Sequence, residues 1–92
     1  LFHASPIAIG LSTIADGRFL DVNDAFGALF GYRREEMIGR SALDLGIWAD
    51  LADRRRMQER FAAGERVVRA EVGYVTRSGE TRRALASAQV LE

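Results

Sequence analysis

The 92 residues of this chain, 48% of them hydrophobic, suffice for one core and therefore for one domain. Lysine is absent and thirteen arginines balance thirteen acidic residues, so the basic surplus that binding to nucleic acid or an anionic membrane normally requires is missing. No cysteine occurs, which excludes disulfides, thiolate nucleophiles and cysteine-ligated metals and fits a reducing cytoplasm, where we expect the protein to work. No apolar run approaches the roughly 18 residues that cross a bilayer, so we expect no membrane segment.

The N-terminal part of the chain predicts a β-hairpin. β-Branched residues are frequent in 7–15, and Pro6 favours an extended backbone where this segment begins. Asp16-Gly17 is a turn signal, because glycine accepts the positive φ that hairpin turns need. We therefore expect strands near 7–15 and 18–22.

The middle of the chain predicts helices. Asn23 is a good N-cap, Gly31 suits a left-handed C′ position, and the apolar residues of 26–30 have the i, i+3, i+4 spacing of one helical stripe. We expect helices within residues 24–63: a short one that ends near Gly31, a single turn over 33–38 and a longer one over 51–63, capped by Asp50 and ended by Gly64.

The C-terminal part predicts a second, longer β-hairpin. Residues 66–77 alternate, with Val72 and Tyr74 on the apolar face and charged residues on the other. Ser78-Gly79 is a second turn signal, and we expect the last strand near 80–91.

An ordered set of short motifs spans nearly the whole chain. The motifs are Phe2-x-x-Ser5-Pro6, Asp16-Gly17-Arg18-Phe19, Val22-Asn23-x-Ala25-Phe26, Gly31-Tyr32-x-x-Glu35-Glu36-Met37-Ile38-Gly39-Arg40, Trp48-Ala49-Asp50, Asp53-Arg54, Gly64-Glu65, Glu71 and Ser78-Gly79. In their order and spacing they resemble the PAS domain family. Two positions depart mildly from the family's pattern: Arg33, where serine is common, and Leu51, where proline is common.

The resemblance implies an α+β fold, a five-stranded antiparallel sheet of order 2-1-5-4-3 with short helices packed on one face. The fifth strand would follow residue 92, so we expect residues 1–92 to be a single PAS domain cut from a longer multidomain signalling protein. The gap between the first and fourth strands would then be closed by direct pairing, by a strand from a partner chain, or by the continuing chain. We favour a homodimer that involves the sheet.

For function, the resemblance implies a bacterial sensory domain that binds a small ligand or a partner. It would relay a conformational change to an attached output domain, such as a histidine kinase, a cyclic-di-GMP enzyme or a transcription regulator. The alternative is a ligand-free dimerisation module with a filled core. We expect no enzyme activity and no metal site, because the sequence contains no nucleophile motif, phosphate loop or metal-spaced cluster.

If the domain binds a ligand, the pocket is expected to be lined by apolar residues, with two polar groups to orient the ligand. The candidates are Phe26, Leu29, Phe30, Met37, Ile38, Leu45, Ile47, Trp48, Met57, Phe61, Val72, Tyr74 and Ser87, where Tyr74 and Ser87 supply the polar groups. Each apolar candidate is equally consistent with a filled hydrophobic core, because a pocket and a core are built from the same side chains. Phe26 and Trp48 are expected to be largely buried.

The identity of a cofactor stays unknown at this point. A haem is not expected, because haem-binding PAS domains generally place the ligand on the long helix, whereas the single histidine is His3. A covalent flavin is not expected either. PAS domains that form a light-induced flavin adduct carry a cysteine in the motif concerned, and this chain contains no cysteine. A non-covalent small molecule stays open, and Trp48 offers a ring on which a flavin would stack.

Overall fold

The computed structural model describes residues 2–90. Strands and helices follow the predicted order of a hairpin, three helices and a second hairpin. Their bounds are β1 (Gly10–Ser12), β2 (Phe19–Val22), α1 (Asp24–Phe30), α2 (Arg34–Met37), α3 (Leu51–Ala62), β3 (Val67–Val75) and β4 (Thr81–Gln89). None of the helices in this range has the length and apolar character needed to cross a membrane.

The first strand is shorter than predicted, because the turn that follows it is wider than the dipeptide Asp16-Gly17. Thr13 already belongs to this turn: its N–H donates to the Arg18 carbonyl and its own carbonyl accepts from the Gly17 N–H, both at 3.0 Å. Gly17 has the positive φ expected of it, 68°. The predicted end of the last strand, at residue 91, lies outside the described residues.

In the part of the chain that the structure describes, no strand of one hairpin pairs with a strand of the other, although single bridges link Arg18 to Ser41, Phe19 to Ile38 and Tyr74 to Trp48. β1 pairs antiparallel with β2, and β3 pairs antiparallel with β4 in a continuous register from Val67–Gln89 to Val75–Thr81. The result is two separate two-stranded sheets. Direct pairing of the first and fourth strands, one of the three closures expected, is therefore not formed, and β1 and β4 each keep one edge without a described strand beside it.

Both hairpins pack on one hydrophobic core. Its buried members are Phe19, Val22, Phe30, Met37, Ile47 and Tyr74. Rings from the two halves of the chain meet here, since Phe30 of α1 packs edge-to-face on Tyr74 of β3 with ring centroids 5.1 Å apart. The core therefore joins the hairpins although their strands do not pair.

The side chain of Asn23 joins the N-terminal segment to the start of α1. Asn23 is 1% exposed. Its Oδ1 accepts hydrogen bonds from the N–H groups of Phe26 and Ile9, both at 2.9 Å, and its Nδ2 donates to the Ile7 carbonyl at 2.7 Å. The predicted N-cap is confirmed, and the same amide also fixes the segment that leads into β1.

A second joint connects α1 and α2 to the end of β3. The Arg77 N–H donates to the Phe30 carbonyl at 2.8 Å, and its guanidinium pairs with the Glu36 carboxylate and lies 5.5 Å from the centre of the Tyr32 ring. The carboxylate also accepts from the Arg33 N–H at 2.9 Å. The pKa of Glu36 lies below its ordinary value. The hydrogen bond from the Arg33 N–H has the largest effect, and the contact with Arg77 lowers the pKa further.

Replacing Asn23 by alanine removes three hydrogen bonds at a buried position. We expect a loss of about 2–4 kcal/mol in the free energy of unfolding, more than the roughly 1 kcal/mol of an isolated N-cap. Urea unfolding followed by circular dichroism measures it. The matched control is Asp50→Ala, which removes one exposed N-cap bond to Ala52. Equal losses in the two variants would mean that Asn23 acts as a cap alone.

The Glu36 carboxylate is expected to stabilise the fold in a pH-dependent way. Because its pKa is lowered in the folded state, its contribution is complete above the ordinary value of 4.5 and disappears as the pH falls through the lowered pKa. Glu36→Gln should therefore lower the melting temperature at pH 7 and have a much smaller effect near pH 3. Glu35→Gln is the control, because Glu35 lies 72% exposed and 3.9 Å from Arg33. A Glu36→Gln effect that does not change with pH would contradict the assignment.

Candidate functional site

Six of the thirteen predicted pocket residues fill the core rather than surround a space. Phe30, Met37, Ile47 and Tyr74 are buried in it, and Phe26 and Leu45 pack against it. The Phe26 ring lies 4.8 Å from that of Phe30, measured between centroids. These side chains contact one another, so they act as packing in this structure.

Phe26 and Trp48, expected to be largely buried, are of intermediate exposure. Trp48 belongs to an irregular segment that runs along β3, where the Ala49 N–H donates to the Gly73 carbonyl at 3.2 Å and the Val75 N–H donates to the Ile47 carbonyl at 2.8 Å. Trp48 itself forms a bridge with Tyr74. Most of the surface of both residues is covered, in agreement with the prediction that they are largely buried.

Two candidates lie apart from the rest. Leu29 is on the exposed side of α1, with 36% of its surface accessible. Ser87 pairs with Arg69 across the hairpin, whereas Ala84 pairs with Val72. Since side chains alternate between the faces of a strand, Ser87 lies on the face opposite to Val72 and is exposed there. Ile38 and Phe61 are partly buried.

His3, the only histidine, lies at the surface next to β2. Its Nε2 is 3.4 Å from Oδ2 of Asp21, and half of the side chain, 52%, is exposed. Among residues 2–90, no three histidine, aspartate or glutamate side chains come together as a metal site would need.

A small cavity lies between α3 and β3. Two predicted residues, Met57 and Val72, line it. The remaining lining residues are Asp53, Arg56, Arg60, Val68, Ala70 and Glu71. The volume is about 90 Å³, well below the roughly 300–1,000 Å³ of pockets for drug-sized ligands, so the cavity holds only a small molecule.

Charged side chains of α3 fix the helix to the edge of β3 that faces away from β4, and they shape this cavity. Asp53 is 9% exposed; its Oδ2 accepts from the Gly73 N–H at 3.2 Å and its Oδ1 from Arg56. One turn further on, Arg60 donates to the Arg69 carbonyl at 3.3 Å. The two contacts occupy backbone groups of β3 that its partner strand does not reach.

Sequence reasoning missed these polar residues. From the sequence alone, Asp53 is expected to be a first-turn residue that favours the helix dipole, and residues 54–56 with Arg60 are expected to form a solvated helix face. The spacing Asp53-x-x-Arg56 does indicate an ion pair on one side of a helix, which the structure forms. No local pattern indicates that Asp53 also accepts from Gly73, twenty residues away.

The charges around the cavity are matched. Glu65 makes two 2.9 Å bonds to Arg60, and this pairing raises the pKa of Arg60 and lowers that of Glu65. Glu71 accepts from Arg83 at 2.7 Å, which raises the pKa of Arg83. The lining therefore carries no uncompensated charge.

Comparisons with known proteins agree with this architecture. The family model described as "PAS domain" matches residues 6–92. Over 52 residues, or 54% of the chain, the sequence is 42% identical to the biofilm dispersion protein BdlA of Pseudomonas aeruginosa, and the match spans 12% of that protein.

Solved structures show the same fold over nearly the whole chain. A domain of a sensory box sensor histidine kinase/response regulator from Geobacter sulfurreducens has a TM-score of 0.76 at 30% identity, covering 98% of this chain and 77% of the other. The PAS domain, in complex with ethanol, of a LuxR-family transcriptional regulator from Burkholderia thailandensis has a TM-score of 0.80 at 24% identity, covering 99% and 80%. With its sequence matched from residue 6 to residue 92 and its architecture shared with such domains, the chain belongs to the PAS domain family.

Proposed function

We propose that this PAS domain is a non-catalytic sensory module in which occupancy of the α3–β3 cavity by a small molecule changes the geometry of the β3–β4 hairpin. The observation that carries the proposal is the cavity itself, because it lies between α3 and β3, which Asp53 and Arg60 also join through polar bonds. A ligand in the cavity contacts both elements and therefore bears directly on their spacing. The domain works in the cytoplasm, as expected from the sequence.

A continuous set of contacts leads from the cavity to the other end of the domain. β3 contains the lining residues 68–72 and ends two residues before Arg77, which is bonded to the Phe30 carbonyl at the end of α1 and to Glu36 in α2. The start of α1 is bonded through Asn23 to the N-terminal segment. A change in the hairpin therefore has a physical route to both halves of the chain.

The output in this proposal is a domain attached to the same polypeptide, a histidine kinase, a cyclic-di-GMP enzyme or a transcription regulator. The similarity to a domain of a sensor histidine kinase/response regulator supports such an arrangement. The match to BdlA spans 12% of that protein, so most of that relative lies outside the matched segment, where an output domain would lie.

We further propose that the domain functions as a homodimer through its hairpins. Unpaired strand edges tend to pair with another chain, and β1 and β4 each have one such edge within the described residues. Large apolar side chains are also exposed on the strands, with Leu20 at 61% and Leu85 at 79%. Burial of these side chains against a second copy would favour association.

A ligand-free dimerisation module is the second candidate. It is favoured by the filled core, in which Phe26, Phe30 and Tyr74 pack ring against ring where a larger pocket would otherwise be. In that case the α3–β3 cavity is a packing defect without influence on the dimer.

A cavity-filling substitution separates the two functions without requiring the ligand. Ala70→Leu places a larger side chain in the cavity, whereas Ala62→Leu adds the same atoms on the exposed part of α3 and is the matched control. Sedimentation equilibrium measures the dimer dissociation constant. A sensory module predicts a change of about fivefold or more for Ala70→Leu alone, in the range typical of allosteric coupling. Identical constants for both variants and the wild type would contradict sensing and support the filled-core module.

A further inference from the structure

The α3–β3 cavity has an apolar floor and a charged mouth. Val68, Ala70 and Val72 line the cavity from β3 and form the floor. The side chains of Arg56 and Arg60, 64% and 42% exposed, lie on the solvent side. A molecule that enters the cavity thus meets valine methyl groups at one end and polar groups at the other.

The polar groups at the mouth favour a neutral ligand. Each is held by an opposite charge: Arg56 by Asp53, Arg60 by Glu65, and Glu71 by Arg83. A carboxylate ligand would have to break one of these pairs or add an unpaired charge next to Asp53. An ammonium ligand would do the same next to the guanidinium groups. Either is costly at a partly desolvated position.

A hydroxyl group suits the same position. Two hydrogen bonds, from Gly73 and Arg56, use one lone pair on each oxygen of the Asp53 carboxylate. A carboxylate offers about four such acceptor positions, so it can accept another proton donor. A hydroxyl both donates to a carboxylate and accepts from a guanidinium, and it carries no charge.

The volume limits the size of the ligand. An apolar cavity of about 150 Å³ binds benzene, which has six carbon atoms. In proportion, a cavity of about 90 Å³ holds about four non-hydrogen atoms.

Resting on the proposed sensory function, we propose that the cavity binds a neutral hydroxyl compound of about four non-hydrogen atoms. Its carbon chain lies against Val68, Ala70 and Val72, and its hydroxyl donates to the Asp53 carboxylate. For a ligand this small, affinity is limited by the number of atoms in contact, so a dissociation constant of about millimolar is expected.

Titration of ¹⁵N-labelled protein with propan-1-ol, followed by two-dimensional NMR, tests the proposal. Saturable shifts are expected for the amides of 53–60 and 68–72. Acetate, which also has four non-hydrogen atoms, should cause no saturable shift in the same residues. Ala70→Leu should remove the propan-1-ol response, and Ala62→Leu should keep it.

Met57→Ala gives an independent variant, in case Ala70→Leu disturbs the strand. By removing three heavy atoms it enlarges the cavity enough for the three additional methylenes of hexan-1-ol. The preference should then move from propan-1-ol towards hexan-1-ol by up to about 60-fold in the ratio of dissociation constants, because each buried methylene contributes roughly 0.8 kcal/mol.

Three outcomes would overturn the inference. Tighter binding of acetate than of propan-1-ol would show that the ligand class is wrong while the cavity still binds. Propan-1-ol shifts that persist unchanged in Ala70→Leu would place the binding elsewhere. Absence of any saturable response would disprove the proposed hydroxyl ligand. The sensory function would still be tested separately, by the change in dimer dissociation constant that Ala70→Leu causes.

Discussion

The buried amide of Asn23 is the constraint on which the arrangement of this domain depends. One carbonyl oxygen accepts from two backbone N–H groups that are seventeen residues apart, at Ile9 and Phe26, while the amide nitrogen holds the Ile7 carbonyl. Neither a carboxylate nor a hydroxyl side chain offers this combination of donor and acceptor in the same geometry. Because α1 starts at this point, the position of Phe30 in the core, and through it the contact with Tyr74, follows from the same joint.

Features set by neighbouring residues were predictable from the sequence. The caps Asn23 and Asp50, the turn at Gly17 and the end of α1 at Gly31 depend on side chains and φ values within a few positions, and the structure confirms each of them. The alternation of Val72 and Tyr74 on a buried face was predictable for the same reason. The resemblance to PAS domains then supplied the arrangement of these elements, which the local patterns do not contain.

Features set by register and by distant contacts were not predictable. Ser87 was paired with Tyr74 as a ligand-orienting group, but the register of β3 with β4 places it opposite Arg69, on the other face. The contact of Asp53 with Gly73 joins a helix to a strand, and nothing near either residue indicates it. For this reason the predicted pocket separated into groups: residues such as Phe30 and Met37 complete the core, and Leu29 and Ser87 are exposed. Met57 and Val72 line a cavity whose polar residues went unrecognised.

Hydrogen exchange of the Ile9 and Phe26 amides tests the central role of Asn23 most directly. Both N–H groups donate to one oxygen, so breaking the joint exposes them together. In the native state at pH 7 the two amides should show the same free energy of opening, within about 0.5 kcal/mol, and in Asn23→Ala both should lose protection. An Ile9 amide that exchanges rapidly while Phe26 stays protected would show that the N-terminal segment moves independently of α1, contrary to the joint described above.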